Sequence, residues 1–108
     1  MNGTPRRAAC SCGALSATVR GEPARVGMCH CLACQRRTGS AFGVAAFFPR
    51  DQVESIEGPR TIWSRAAESG ATLTFSFCPT CGSTVYWERD SRPGMLIFAL
   101  GAFADPEF

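Results

Sequence analysis

Cys10-Ser11-Cys12-Gly13 near the start and Cys78-Pro79-Thr80-Cys81-Gly82 near the end are the stretches on which the fold turns. The second has the form of a zinc knuckle. Two Cys separated by two residues let one tight turn aim both thiolates, and its own backbone N–H groups, at a single ion. Pro79 presets that turn, and Gly82 tolerates a positive φ just after it. A knuckle offers two ligands, whereas a closed structural zinc takes four. Cys10 and Cys12 stand at i and i+2, which puts them on one side of a strand and lets them point together. Pairing the two stretches ties Cys12 to Cys78 across 66 positions of chain. Any one of these residues read alone is a small buried hydrophobe, but isolated Cys do not come as CxC plus CPxCG.

The chain holds seven Cys in 108 residues, in three tight clusters. The odd number, the clustering and the opening Met1-Asn2-Gly3-Thr4-Pro5-Arg6-Arg7, without the apolar stretch of a secretory leader, all bear on the setting. They predict metal binding in a reducing, cytoplasmic compartment rather than a disulfide framework. Seven divides into four plus three, and the three are in Cys29-His30-Cys31-Leu32-Ala33-Cys34. On an extended segment Cys29 and Cys31 share a side, and a turn beginning at Cys31 brings Cys34 back beside it. Three thiolates would then hold one ion and leave its fourth position open, as in a catalytic zinc site. His30, between two ligands, faces the other way with Val26 and Met28, which predicts a core or supporting side chain rather than a ligand. Were it a ligand, the site would be a closed Cys₃His.

Charge arithmetic then suggests the chemistry. Three thiolates on Zn²⁺ leave a net charge of −1, which blunts the acidification of water and favours a fourth sulfur. A substrate thiol held there stays a thiolate near neutral pH and can attack an electrophile. Arg36 and Arg37 either offset the negative charge, grip a substrate carboxylate, or form a solvated pair on a helical turn.

Composition sets the frame for this site. A chain of 108 residues, 45% hydrophobic and 19% charged, predicts one globular domain over residues 1–108. No apolar run reaches about 18 residues, so no membrane-spanning helix is predicted. The 11 basic residues, all Arg, face 9 acidic ones, for a net charge of +2. Paired only at Arg6-Arg7 and Arg36-Arg37, they form no stripe able to neutralise many phosphates, which argues against a nucleic-acid partner.

Alternation predicts mostly strand. Leu15, Ala17 and Val19 alternate with polar neighbours, as do Ala71, Leu73, Phe75 and Phe77, and then Val85 and Trp87. Met95 to Leu100 is continuously apolar and reads as a strand buried on both faces. Arg25–Cys29, Val44–Phe48, Val53–Glu57 and Arg60–Ser64 are further strands, with Gly- and Pro-rich breaks between them. Helix is confined to a turn or two over Leu32–Arg37, stopped by Thr38-Gly39-Ser40. The prediction is a mainly β chain of antiparallel sheets with one short helical turn after the CHCxxC motif. Phe47, Phe48, Trp63, Phe75, Phe77, Trp87 and Phe98 fit core positions on strand faces. Glu22, Glu54, Glu57, Glu68 and Glu88 read as surface residues, with no general acid or base singled out.

These motifs also occur together in one family. Cys10-Ser11-Cys12-Gly13-Ala14, Cys29-His30-Cys31-x-x-Cys34-x-Arg36-Arg37-x-x-Gly39-Ser40 and Phe77-Cys78-x-x-Cys81-Gly82-Ser83 come in this order. They are followed by Gly101-Ala102-Phe103-Ala104-Asp105-Pro106. Through them the chain resembles the family of the glutathione-dependent formaldehyde-activating enzyme and centromere protein V. The resemblance implies a zinc-braced fold of antiparallel sheets, the β-tent. It implies a structural zinc on Cys10, Cys12, Cys78 and Cys81 and a catalytic zinc on Cys29, Cys31 and Cys34, two ions per chain. The activity it implies joins glutathione to formaldehyde and, in reverse, cleaves a carbon–sulfur bond as a lyase does. Two other expectations compete with this one: a non-catalytic two-zinc module that binds protein or nucleic acid, and a redox sensor with Cys29, Cys31 and Cys34 as exchanging thiols.

Overall fold

Nine strands form among residues 3–108, the part of the chain that the computed structural model describes. Met1 and Asn2, part of the opening stretch read above, lie outside the described residues. The elements run β1 (Pro5–Ala9), β2 (Ser16–Arg20), β3 (Arg25–Cys29), α1 (Leu32–Thr38), β4 (Gly43–Pro49) and a 3₁₀ turn at Arg50–Gln52. They continue as β5 (Val53–Glu57), β6 (Thr61–Ala66), β7 (Thr72–Phe77), β8 (Thr84–Arg89), β9 (Met95–Ala99) and a second 3₁₀ turn at Leu100–Phe103. Three strands form a small sheet in the order β1-β2-β5, and six form a large one in the order β3-β4-β9-β8-β7-β6. Every pairing is antiparallel. The chain is mainly β, as predicted. No helix among the described residues is long and apolar enough to cross a membrane.

The large sheet is apolar on both faces, and this decides where the site lies. One face packs Ala46, Phe48, Tyr86, Leu96 and Phe98 against Ala8, Ala17 and Val19 of the small sheet and Leu15 just before β2. Cys10 and Cys78 belong to this same core. The other face carries a second cluster of Leu73, Phe75, Trp87 and Ile97, with Ala45 and Phe47 beside it. β9 serves both: Leu96 and Phe98 enter the first cluster and Ile97 the second, as its continuous apolar run predicted. Because successive side chains on a strand point to opposite faces, two apolar faces require such runs in the central strands.

The differences from prediction lie at the margins. β1 was not foreseen, since Pro5-Arg6-Arg7-Ala8-Ala9 buries only Ala8 and shows little alternation. Trp63 is not core: it is 57% exposed, because β6 is an edge strand whose only neighbour is β7. Val26 and Met28 are also exposed, because β3 forms the opposite edge and nothing among the described residues covers them.

Candidate metal centres

Two groups of thiols, one sulfur per residue, gather within 4.8 Å: Cys10, Cys12, Cys78 and Cys81 in one, Cys29, Cys31 and Cys34 in the other. The sequence partition into four and three holds in space. His30 joins neither group. It is exposed, with its ring tilted against Phe42 at 5.6 Å, and so is not a core residue.

The quartet is made by two hairpin ends of similar construction. Cys10 N–H donates to Leu15 O at 2.9 Å, and Cys78 N–H donates to Ser83 O at 3.1 Å. Within each turn the sulfur accepts backbone N–H groups: Cys10 Sγ from Leu15 at 3.2 Å, and Cys78 Sγ from Thr80 at 3.3 Å. Cys10 and Cys12 therefore converge through a turn, not along one side of a strand. They follow β1, and a Gly13 N–H to Cys10 O bond of 3.0 Å closes the bend. Gly13 takes φ +82° there, and Gly82 takes φ +79° after the second knuckle. Ser11 Oγ meets Ser83 Oγ at 2.8 Å, linking the two turns directly.

The spacing of the sulfurs fits a tetrahedral ion. Four thiolates at about 2.3 Å from zinc stand about 3.8 Å apart along each tetrahedron edge. Cys10 and Cys12 Sγ are 3.7 Å apart, and Cys12 and Cys78 Sγ are 3.6 Å apart. A disulfide would need about 2.05 Å. Backbone N–H groups aimed at the sulfurs stabilise thiolate, the form a metal requires. At Cys81 the Ser83 hydroxyl and then the Ser83 N–H hold the thiol down to about 5.

The trio is local. Cys29 ends β3, Cys31 caps α1 with extended backbone at φ −65° and ψ 158°, and Cys34 lies inside the helix. Cys34 N–H donates to Cys31 Sγ at 3.4 Å, so the N-cap that starts the helix also turns one sulfur toward another. The predicted stop is Gly39, in the left-handed region at φ 69°, with its N–H returned to Gln35 O. Cys29 and Cys31 are exposed and Cys34 is half-buried. That Cys34 N–H, followed by the Cys29 thiol, draws the Cys31 thiol down to about 7. Burial, followed by the Cys31 and Cys29 sulfurs, pushes Cys34 up to about 12. Cys31 therefore loses its proton near neutrality, and a bound cation would have to displace that of Cys34.

Arg36 and Arg37 differ from one another. Arg36 is exposed. Arg37 is half-buried, with its guanidinium 4.6 Å from the centroid of the Trp87 ring. A Cβ added at Gly43 would lie 2.8 Å from Arg37 Nη2 and 3.6 Å from Cys34 Cβ, so the absent side chain makes room for both.

The trio opens onto a cleft of ≈ 610 Å³ over the second apolar cluster. Leu73, Phe75, Trp87 and Ile97 form its floor, and Arg37, Arg65 and Arg89 stand around it. Glu68 is the one carboxylate among the described lining residues. Arg65, Glu68 and Arg89 were not singled out as cleft residues from the sequence. They come to line the same cleft as the trio only through pairing of β6 to β7 and of β7 to β8, which local spacing does not encode.

Fold and sites together define a small two-sheet antiparallel β protein with two cysteine clusters suited to metal. A family model described as glutathione-dependent formaldehyde-activating enzyme matches residues 5–108. The chain belongs to that family. A solved structure of a Rhodobacter sphaeroides protein shares the fold, with a TM-score of 0.70 at 22% identity, over 94% of this chain and 92% of that one.

Proposed function

We propose that residues 1–108 form one two-zinc domain that acts in the cytoplasm as a carbon–sulfur lyase on adducts of a small thiol with an aldehyde. Glutathione and formaldehyde, the pair in the family's description, are the first substrates to consider. Cys10, Cys12, Cys78 and Cys81 hold the structural zinc, and Cys29, Cys31 and Cys34 the catalytic one. Zinc on three thiolates supplies a position for a fourth sulfur and keeps a substrate thiol deprotonated near neutral pH.

The carrying observation is that three sulfurs, with no fourth ligand side chain joining them among the described residues, line a large cleft. The rest of the chemistry belongs to the protein. Arg37, Arg65 and Arg89 attract the carboxylates of a thiol such as glutathione and orient its sulfur toward the trio. Leu73, Phe75, Trp87 and Ile97 exclude water that would compete for the carbonyl. The sulfur attacks the carbonyl carbon, a carbon–sulfur bond forms, and the carbonyl π electrons pass to oxygen. The proton lost by the thiol ends on that oxygen. Cleavage reverses each step.

The test compares adduct formation from glutathione and formaldehyde by the intact protein and by Cys31→Ser at matched circular dichroism. A loss of at least about 100-fold is expected, beyond the 10–100-fold typical of residues that only support a metal ligand. Equal rates would remove the trio from the chemistry.

A further inference from the structure

Beside the thiol cleft lies a second cavity, of ≈ 450 Å³, which the addition chemistry does not need in full. Its walls are Arg36 and Arg37 from α1, Trp63 and Arg65 from β6, and Phe75 and Phe77 from β7. The charge is one-sided, with three guanidiniums and no carboxylate among the described lining residues. The ion pairs of the described residues are Arg6–Glu22, Arg20–Glu54 and Arg50–Glu88, so none of these three guanidiniums is spent on an acid of the protein itself.

The aromatic side is equally specific. Trp63 is 57% exposed, yet its ring is held nearly parallel to Phe75, at 6.1 Å and 14°. Arg65 lies over the same Phe75 ring, 5.4 Å from its centroid. Trp63 and Arg65 stand at i and i+2 on one strand, so indole and guanidinium present to the same side. Together they make a slab-shaped opening with π surface on one flank and cations around it.

We propose that this cavity binds an aryl carboxylate, with its ring against Trp63 and its acid group between Arg36, Arg37 and Arg65. An aryl carboxylate is coplanar with its own ring. One flat body can therefore stack on the indole while its oxygens meet the planar forks of the guanidiniums edge-on. A simple aliphatic acid would leave the indole wet, and a neutral ring would leave the cations unanswered. The cavity shares Arg37, Arg65 and Phe75 with the thiol cleft. On the thiol-addition reading proposed above, the ligand is thus the body of an aromatic aldehyde that carries an acid group and is larger than formaldehyde.

The test is calorimetric titration of the zinc-loaded protein with naphthalene-2-carboxylate, with 2-naphthalenemethanol and glutarate as controls and indole fluorescence followed in parallel. The carboxylated ring should bind at least about tenfold more tightly than either control, the increment expected of one charge-assisted contact. Arg65→Gln and Trp63→Ala should each weaken it about tenfold, while Trp63→Phe, which keeps a ring, retains most of the affinity. Cys31→Ser should bind it unchanged, so loss of thiol chemistry and loss of this site are read separately. Equal affinity for glutarate or for the neutral ring would overturn the proposal, as would indifference to both Arg65→Gln and Trp63→Ala at unchanged circular dichroism.

Discussion

The quartet and the trio use the same ligand on different architecture. Cys10 and Cys78 are buried in the main core, and the four sulfurs come from two hairpins separated by 66 residues of chain. The three sulfurs of the trio come from a single short segment at the end of an edge strand, and Cys29 and Cys31 are exposed. An ion in the quartet closes a long loop and is coupled to the whole fold. An ion in the trio closes almost nothing, so its binding energy is free to be coupled to what enters the cleft. On the proposed reading, identical donors would serve scaffold or substrate according to the sequence distance between them.

The sharpest way to break this contrast is to remove one ligand from each side. Cys78→Ser should lose the fold outright, since a structural zinc contributes roughly 10–16 kcal/mol of apparent binding energy against a total stability of about 5–15 kcal/mol. Cys31→Ser, by contrast, should shift stability by less than about 1 kcal/mol in urea unfolding. Equal losses in the two variants would erase the division of labour.

Gly58→Ala probes the quartet from behind. A Cβ there would fall 1.7 Å from the carbonyl oxygen of Ala14, in a residue at φ +97°, just beneath the turn that bears Cys10 and Cys12. Backbone cannot yield as a side-chain tip can, so destabilisation of about 3 kcal/mol or more is expected in thermal melts. A melt unchanged by this substitution would show that the first hairpin is not held from that side.

The trio answers to pH instead. In metal-stripped protein Cys31, with its pKa drawn down to about 7, is thiolate above that pH and thiol below it, whereas Cys34, near 12, stays protonated. Iodoacetamide should therefore label Cys31 at a rate that rises through pH 7 and levels off above it, with Cys34 silent by peptide mass mapping. Because the thiol's pKa is lowered on folding, its contribution to apo-protein stability grows as pH rises toward 9 and is lost as pH falls through 7. Labelling of Cys34 ahead of Cys31 would reverse the assignment.

Gly43→Ala should have the smallest effect. The clash is with Arg37 Nη2, the movable end of a long side chain, so stability should change by less than about 1 kcal/mol. Indole fluorescence should nonetheless report a displaced guanidinium over Trp87. A spectrum identical to the unsubstituted protein would mean that Arg37 has a second seat.

Much of this was legible beforehand where the governing interaction is local. The alternation of Ala71, Leu73, Phe75 and Phe77 foretold β7, and Cys31 with Gly39 bracketed α1, because face selection and helix capping act over a few residues. The four-and-three grouping of sulfurs was legible too, since CPxCG and CHCxxC are turn chemistries. What failed depended on neighbours in space. Trp63 alternates like a core residue, but no seventh strand among the described residues covers β6. His30, Val26 and Met28 share a face, as periodicity says, yet that face looks outward. Cys10 and Cys12 were read along a strand because i and i+2 spacing suits strand and turn alike.

Residue order alone settled which neighbouring sulfurs can meet within each motif, where strands alternate and where α1 starts and stops, because those outcomes depend on bond geometry over one or two turns of chain. Tertiary pairing alone decided that three arginines from β6, β8 and α1 stand over an aromatic floor beside Cys29, Cys31 and Cys34. Strand order in a sheet follows from which faces can be buried together, a collective balance that no short stretch of sequence contains.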